Sequence, residues 1–195
     1  ICEAAHKLGI KYLTLYAFST ENWKRPSLEV ETLMKLLEKY LKECIDTRYR
    51  HNMKVKIIGD RTKFTPKLQE IIRELENVSA NDDGLNLTIS LNYGSRDEII
   101  RSIKKVYKDI EEEKISIDDI NEEMFAQYLD TNHAPDVDLL IRTSGEQRLS
   151  NYLLWQLAYA ELYFTDTYWP DFDADELKKA IEYYNTRERR FGNVK

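Results

Sequence analysis

The stretch Val137-Asp138-Leu139-Leu140-Ile141-Arg142-Thr143-Ser144-Gly145-Glu146-Gln147-Arg148-Leu149-Ser150-Asn151 decides how this chain folds. A β-branched and apolar run, Val137 to Ile141, leads into a polar turn with two arginines, and a second apolar segment, Tyr152 to Ala160, follows. This order predicts strand, turn, helix. In an open α/β sheet, ligands gather outside the carboxyl ends of strands, where the N–H groups and dipole of the next helix favour negative charge. Arg142 and Arg148 add planar forks of donors that match phosphate oxygens in pairs, and Ser150 adds a hydroxyl at the expected helix start. Taken alone, the loop reads first as a solvated turn whose Ser150 caps a helix and whose arginines pair with surface acids, and the rest of the chain reverses that reading.

Working outward, short apolar segments recur. Tyr12–Phe18, Val55–Gly59, Leu85–Leu91, Val137–Ile141 and Leu162–Phe164 are rich in β-branched or aromatic residues, and their near-continuous apolar character predicts strands covered on both faces, hence a mainly parallel sheet. Helical patterns lie between them. Leu33, Leu36, Leu37, Tyr40, Leu41 and Cys44 recur at helical spacing between Glu29 and Arg50. Thr65-Pro66 predicts an N-cap with proline at the first helical position. Ser95 and Glu98 predict a capping box, Ser116 an amphipathic helix through Met124, Phe125 and Tyr128, and Asp173 the start of the last helix. Ile1 to His6 reads as the tail of a helix ending near Gly9. Strands alternating with helices imply βαβ units. The fold class is therefore α/β, a single domain with a mainly parallel central sheet flanked by helices.

Composition narrows the function. A chain of 195 residues with 42% hydrophobic content can bury one core, and no linker or charge block divides it. A net charge of -6 argues against general nucleic-acid binding, so an anionic ligand has to be drawn by local arginines. No apolar run approaches the roughly 20 residues of a membrane helix, and Cys2 and Cys44 have no zinc or disulfide pattern, which suits a cytoplasmic protein. His6, His51 and His133 have no metal-ligand spacing, and no Gly-x-x-x-x-Gly-Lys-Ser/Thr or Gly-x-Gly-x-x-Gly signature of a nucleotide fold occurs.

A second polar segment closes an apolar run at Phe18-Ser19-Thr20-Glu21-Asn22-Trp23-Lys24-Arg25-Pro26, and a third at Asn92-Tyr93-Gly94. Together with Arg142-Thr143-x-Gly145-Glu146-x-Arg148-x-Ser150-Asn151 and Glu161-Leu162-Tyr163-Phe164, these segments resemble the ordered motifs of the cis-prenyltransferases, specifically the bacterial undecaprenyl diphosphate synthases, from about Ile10 to Gly192. The resemblance implies repeated condensation of isopentenyl diphosphate onto farnesyl diphosphate with cis double bonds, toward an undecaprenyl lipid carrier for cell-wall synthesis. It implies that Arg142, Arg148 and Ser150 bind the isopentenyl diphosphate and that Glu161 binds Mg²⁺. Ser19 and Asn22 would act at the reacting diphosphate. Phe18 and Trp23 would contact substrate on a mobile loop whose closed form Arg25 and Glu29 hold. The apolar face of the Glu29–Arg50 helix, with Leu85 to Leu91, would line a tunnel for the growing tail.

Family members also begin with a strand and a Met-Asp-Gly-Asn phosphate loop, which is not in this chain. The expectation is a domain over residues 1–195 without that strand and loop, with little activity unless the natural upstream segment is restored. Glu188-Arg189-Arg190-Phe191-Gly192 resembles a segment near the subunit contact, which implies a homodimer, and an oily product implies contact with a membrane surface on release. At Gln147 the family often carries histidine, so a proton or metal role there is altered. The rival reading is a non-catalytic scaffold or regulatory subunit of the same fold, and the intact Asn22, Arg25, Arg142, Arg148 and Ser150 set speaks against it. Two acidic clusters mimic other sites. Asp171, Asp173 and Asp175 have calcium-loop spacing, but Glu176 stands where a glycine is needed, and Asp118-Asp119 sits at a helix start where acids favour the dipole.

Overall fold

Residues 1–47 and 52–188 are described by the computed structural model. The elements in chain order are α1 (Cys2–Lys7), β1 (Tyr12–Ser19), α2 (Ser27–Thr47), β2 (Met53–Ile58), α3 (Pro66–Val78), β3 (Leu85–Tyr93), α4 (Ser95–Glu111), α5 (Glu122–Ala126), β4 (Leu139–Arg142), β5 (Glu161–Phe164) and α6 (Ala174–Asn185). All five expected strands form. Every strand pairing is parallel, as continuous apolar runs require.

Pairing divides them into a three-stranded sheet in the order β1-β3-β2 and a two-stranded sheet, β4-β5. This corrects the expectation of one continuous sheet. Periodicity identifies strands but not neighbours, and β1 and β4 are not hydrogen-bonded to each other. Side chains span them instead: Tyr16 of β1 stacks on Tyr152 with ring centroids 4.2 Å apart, Leu140 of β4 packs on the same cluster, and Ile141 joins the main core. That core runs from α1 through α2 and α3 to α6 and includes Phe18, Leu41, Leu68, Ile72, Leu75, Leu85 and Leu177.

Local signals held at two helix starts. Thr65 Oγ1 accepts the Leu68 N–H at 3.2 Å with Pro66 at the first position, and Asp173 Oδ1 accepts from the N–H groups of Asp175 and Glu176 at 2.9 and 3.0 Å. The second cap uses up Asp173, which removes it from a calcium loop. Ser95 and Glu98 fail as a capping box. The N-cap is Gly94, so Glu98 falls one position too late, and it turns inward, fully buried. The helix expected after Ser116 shrinks to a short 3-10 turn over Ile117–Asp119 and the five residues of α5. Arg50, the expected end of α2, and His51 lie outside the described residues.

The largest correction concerns Tyr152 to Ala160. No regular helix follows the arginine turn. Ser150, Asn151 and Leu153 all take left-handed backbone conformations, with φ of 50°, 61° and 45°, and a chain that visits that region three times in four residues cannot run as a right-handed helix. The apolar side chains of Tyr152, Leu153 and Leu157 are nevertheless buried, so hydrophobicity alone misled the reading.

Candidate functional site

The carboxyl ends of β1, β2 and β3 converge and are stitched by side chains. At the end of β1 the register against β3 slips between Tyr16 and Phe18 and again before Ser19, a bulge that re-aims the strand into the following turn. In that turn, Thr20–Lys24, the Ser19 N–H donates to Asn22 Oδ1 at 2.7 Å, and the Asn22 N–H returns to the Ser19 side chain. Ser19 and Asn22 therefore fold the turn around each other.

Trp23 is held rather than free. Its Nε1 donates to Asn92 Oδ1 at 2.7 Å, and its ring meets the edge of Phe18 with centroids 5.3 Å apart. Asn92 is buried in a left-handed conformation, φ 48°, and its Nδ2 donates to the Asp60 carbonyl after β2 at 2.6 Å. One asparagine thus ties β2, β3 and the Trp23 turn together. Arg25 and Glu29 form an exposed ion pair at 2.7 Å across the start of α2.

The arginine loop is ordered from within. Arg142 Nη1 donates to Ser150 Oγ at 2.9 Å and to the Arg148 carbonyl, which folds the turn back on the end of β4. Arg148 pairs with Glu146 and leaves 61% of its side chain exposed. Its guanidinium does not stand at a helix start, so charge and donors, not a helix dipole, make this loop attractive to anions. Asn151 joins the loop to the rest: its Nδ2 donates to Glu21 Oε1 at 3.1 Å, and Gly94 passes so near that a Cβ there would lie 2.6 Å from Thr20 Oγ1 and 2.8 Å from Asn151 Nδ2.

Behind this surface lies a buried polar network. Glu98 accepts from the Tyr93 hydroxyl at 2.5 Å, the Asp130 N–H at 2.9 Å and Gln156 Nε2 at 3.2 Å. Burial raises its carboxyl pKa above the usual range, and the Tyr93 and Gln156 bonds offset this only in part. Asp130 behaves oppositely. Burial alone would raise it, but the bidentate Arg101 guanidinium, at 2.6 and 3.0 Å, holds it below the ordinary carboxylate range.

Glu161 opens β5 opposite Leu139, three residues before the level of Arg142, or about 10 Å along the strand. Arg187 Nε reaches its Oε2 at 3.0 Å, and its side chain is 19% exposed. No cluster of three or more His, Cys, Asp or Glu able to hold a metal occurs among the described residues. Among the described residues Glu161 offers one carboxylate, a hard oxygen donor of the kind Mg²⁺ takes in phosphate chemistry, where one or two protein carboxylates are joined by substrate oxygens and water.

The sequence reading assigned no role to Glu21, Asn92, Gly94 or Asn151, and gave Glu98 only a helix cap. The first four stood in the quoted motifs, and the signal for three of them was an asparagine and a glycine at the end of β3 and an asparagine in the arginine loop, residue types that accept left-handed or crowded backbone.

Parallel strands ending in one patch of polar turns, with an arginine loop beside it, define an α/β protein built to hold an anionic ligand. The chain belongs to the family described as "Putative undecaprenyl diphosphate synthase", whose model matches residues 1–192. It is 51% identical over 195 residues to an isoprenyl transferase of Clostridium perfringens, covering 100% of this chain and 77% of that protein. It is 50% identical over 194 residues to a ditrans,polycis-undecaprenyl-diphosphate synthase, (2E,6E)-farnesyl-diphosphate specific, of Buchnera aphidicola, covering 100% of this chain and 78% of the relative. Among solved structures, lavandulyl diphosphate synthase from Lavandula x intermedia in complex with dimethylallyl diphosphate superposes with a TM-score of 0.93 at 37% identity, over 97% of this chain and 82% of that one. A probable undecaprenyl diphosphate synthase from Campylobacter jejuni gives 0.88 at 39% identity, over 98% and 88%. No helix among the described residues is long and apolar enough to cross a membrane.

Proposed function

We propose that this protein is a cis-prenyltransferase that condenses isopentenyl diphosphate units onto farnesyl diphosphate to build a long polyprenyl diphosphate, in the manner named for its Buchnera relative. The observation that carries the reading is the Arg142–Ser150–Asn151 loop, folded by Arg142 onto Ser150 and joined through Glu21 to the turn that ends β1. Arg142, Arg148 and Ser150 hold the diphosphate of the isopentenyl unit. Ser19 and Asn22 serve the allylic diphosphate from the neighbouring turn. Phe18 and Trp23 flank that substrate, and the Arg25–Glu29 pair fixes the turn to α2.

In each cycle the allylic carbon–oxygen bond breaks and the diphosphate leaves with the bonding pair. The double bond of the isopentenyl unit forms the new carbon–carbon bond, and that unit then loses a proton to set the cis double bond. Donors fixed around the leaving group favour the transition state because they meet the negative charge as it develops. Glu161, together with the aspartate of the family's upstream phosphate loop, would hold Mg²⁺, which when bound would neutralise further charge on the leaving diphosphate. Each five-carbon unit adds apolar surface worth about 0.8 kcal/mol per buried methylene, which the α2 face and β3 would collect. The reading extends to a homodimer, a cytoplasmic location and contact with a membrane surface on product release. Arg189 to Gly192, within the segment expected at the dimer contact, lie outside the described residues, so the dimer is tested by light scattering of the full-length protein, where a lone monomer refutes it. The scaffold alternative gains nothing from the site, since Asn22, Arg25, Arg142, Arg148 and Ser150 are all in place.

The experiment supplies radiolabelled isopentenyl diphosphate and farnesyl diphosphate to the full-length protein, with and without chelator, and follows label into butanol-extractable product. Chelator-sensitive incorporation into long chains is the expected result. No incorporation at any magnesium concentration would overturn the reading.

A further inference from the structure

Asn151 makes bonds to two other parts of the chain. Its backbone oxygen accepts the Ser95 N–H at 2.7 Å and its Oδ1 accepts the Arg96 N–H at 2.9 Å, so it caps the start of the 17-residue helix α4 from 55 positions away. Its Nδ2 donates to Glu21, 130 positions earlier in the chain. Its left-handed φ of 61° is one that asparagine accepts more readily than most residues, and its neighbour Ser150 takes the bond from Arg142. Any shift of the arginine loop therefore pulls on Glu21, and with it on the Thr20–Lys24 turn. Burial would raise the Glu21 carboxyl, but hydrogen bonds, the one from Asn151 foremost, outweigh it and keep the group an ionised acceptor.

We infer that Asn151 and Glu21 are a positioning pair, a latch through which the arginine loop and the Ser19–Arg25 turn fix each other's geometry, so that a diphosphate held by the loop also steadies the turn. This rests on the functional reading above, in which the loop takes a diphosphate. Neither residue needs to touch substrate. The pair acts through Ser150 and Arg142 on one side and through Ser19 and Asn22 on the other.

The test exchanges donor and acceptor. In N151D two carboxylates face each other and the latch opens. In E21Q/N151D the new amide can donate to the new carboxylate, which keeps a second oxygen for the Arg96 N–H. E21A removes the latch from the turn side without changing any residue of the arginine loop. In the full-length protein, N151D and E21A should each raise the KM for isopentenyl diphosphate about 2- to 10-fold, the value of one hydrogen bond, while the melting temperature stays near that of the parent. The swap should restore KM to within about twofold. Separately, saturating inorganic diphosphate should slow hydrogen exchange at the amides of residues 20–24 in the parent and in the swap, and not in E21A or N151D.

A swap as impaired as N151D would overturn the latch, as would equal protection of residues 20–24 in E21A. A parent protein that neither binds inorganic diphosphate nor transfers prenyl groups would instead overturn the functional reading itself, and the two failures are distinguishable because the parent is measured in every arm.

Discussion

Arg148→Ala separates binding from folding. The Arg148 side chain is 61% exposed and among the described residues pairs only with Glu146, itself 45% exposed, so the pair adds at most about 1 kcal/mol to stability. What shapes the loop is the Arg148 backbone carbonyl, which accepts from Arg142 and is untouched by the substitution. For a protein of this size, a loss of that order moves the melting temperature by about 2–4 °C or less. The cost to substrate is larger. A charged hydrogen bond to phosphate is worth about 1.5–3 kcal/mol, which at about 1.4 kcal/mol per tenfold predicts a 10- to 150-fold rise in the KM for isopentenyl diphosphate. Steady-state assays varying isopentenyl diphosphate at saturating farnesyl diphosphate, beside a calorimetric melt, measure both quantities. An unchanged KM would refute the role assigned to the guanidinium. A large drop in melting temperature would show that the loop is held by more than its backbone.

Three further outcomes are expected. Trp23→Phe strips the donor from buried Asn92 Oδ1 and should cost about 1–3 kcal/mol, a fall of several degrees in a calorimetric melt, and a melt indistinguishable from the parent would show that the bond is dispensable. Gly94→Ala drives a Cβ against Thr20 Oγ1 and Asn151 Nδ2, which should displace the loop and lower kcat/KM by up to about 100-fold, whereas unchanged kinetics would mean that these side chains yield freely. Glu98→Gln tests linkage: the folded protein holds the Glu98 proton more tightly than the unfolded chain, so this stability is complete below the ordinary value of 4.5 and is lost as pH rises through the folded pKa. The melting temperature of the parent minus that of the variant should therefore fall as pH rises above the ordinary value of 4.5, and a flat or rising difference would contradict it.

The contrast between what the sequence revealed and what it hid follows the range of the forces involved. Strands β1 to β5 were legible because their apolar runs are local, and the starts of α3 and α6 because Thr65 and Asp173 bond to amides within three residues. Ser95 and Glu98 carried the same local pattern, yet Tyr93, Asp130 and Gln156 offered Glu98 three donors in the interior, more than a single cap bond returns. The left-handed run at Ser150, Asn151 and Leu153 had a local signature only at Asn151, since neither serine nor leucine advertises a positive φ. Of the site, the arginines and Ser150 were readable as types suited to phosphate. The roles of Asn151 and Asn92 were not, because what each does depends on partners that stand from 32 to 130 positions away.

The cap that Asn151 places on α4 also imposes an order of events on a nascent chain. Synthesis at roughly 5–20 residues per second puts the 55 residues between Arg96 and Asn151 about 3–11 s apart, and through that interval the first amides of α4 lack the oxygens that will receive them. The amphipathic helix can form behind them, but its opening turn and the arginine loop can only mature together. Completion of the arginine loop and closure of the helix end are thus one late folding event, and a chain halted before residue 151 would carry most of the β1-β3-β2 sheet with a frayed α4 and no loop.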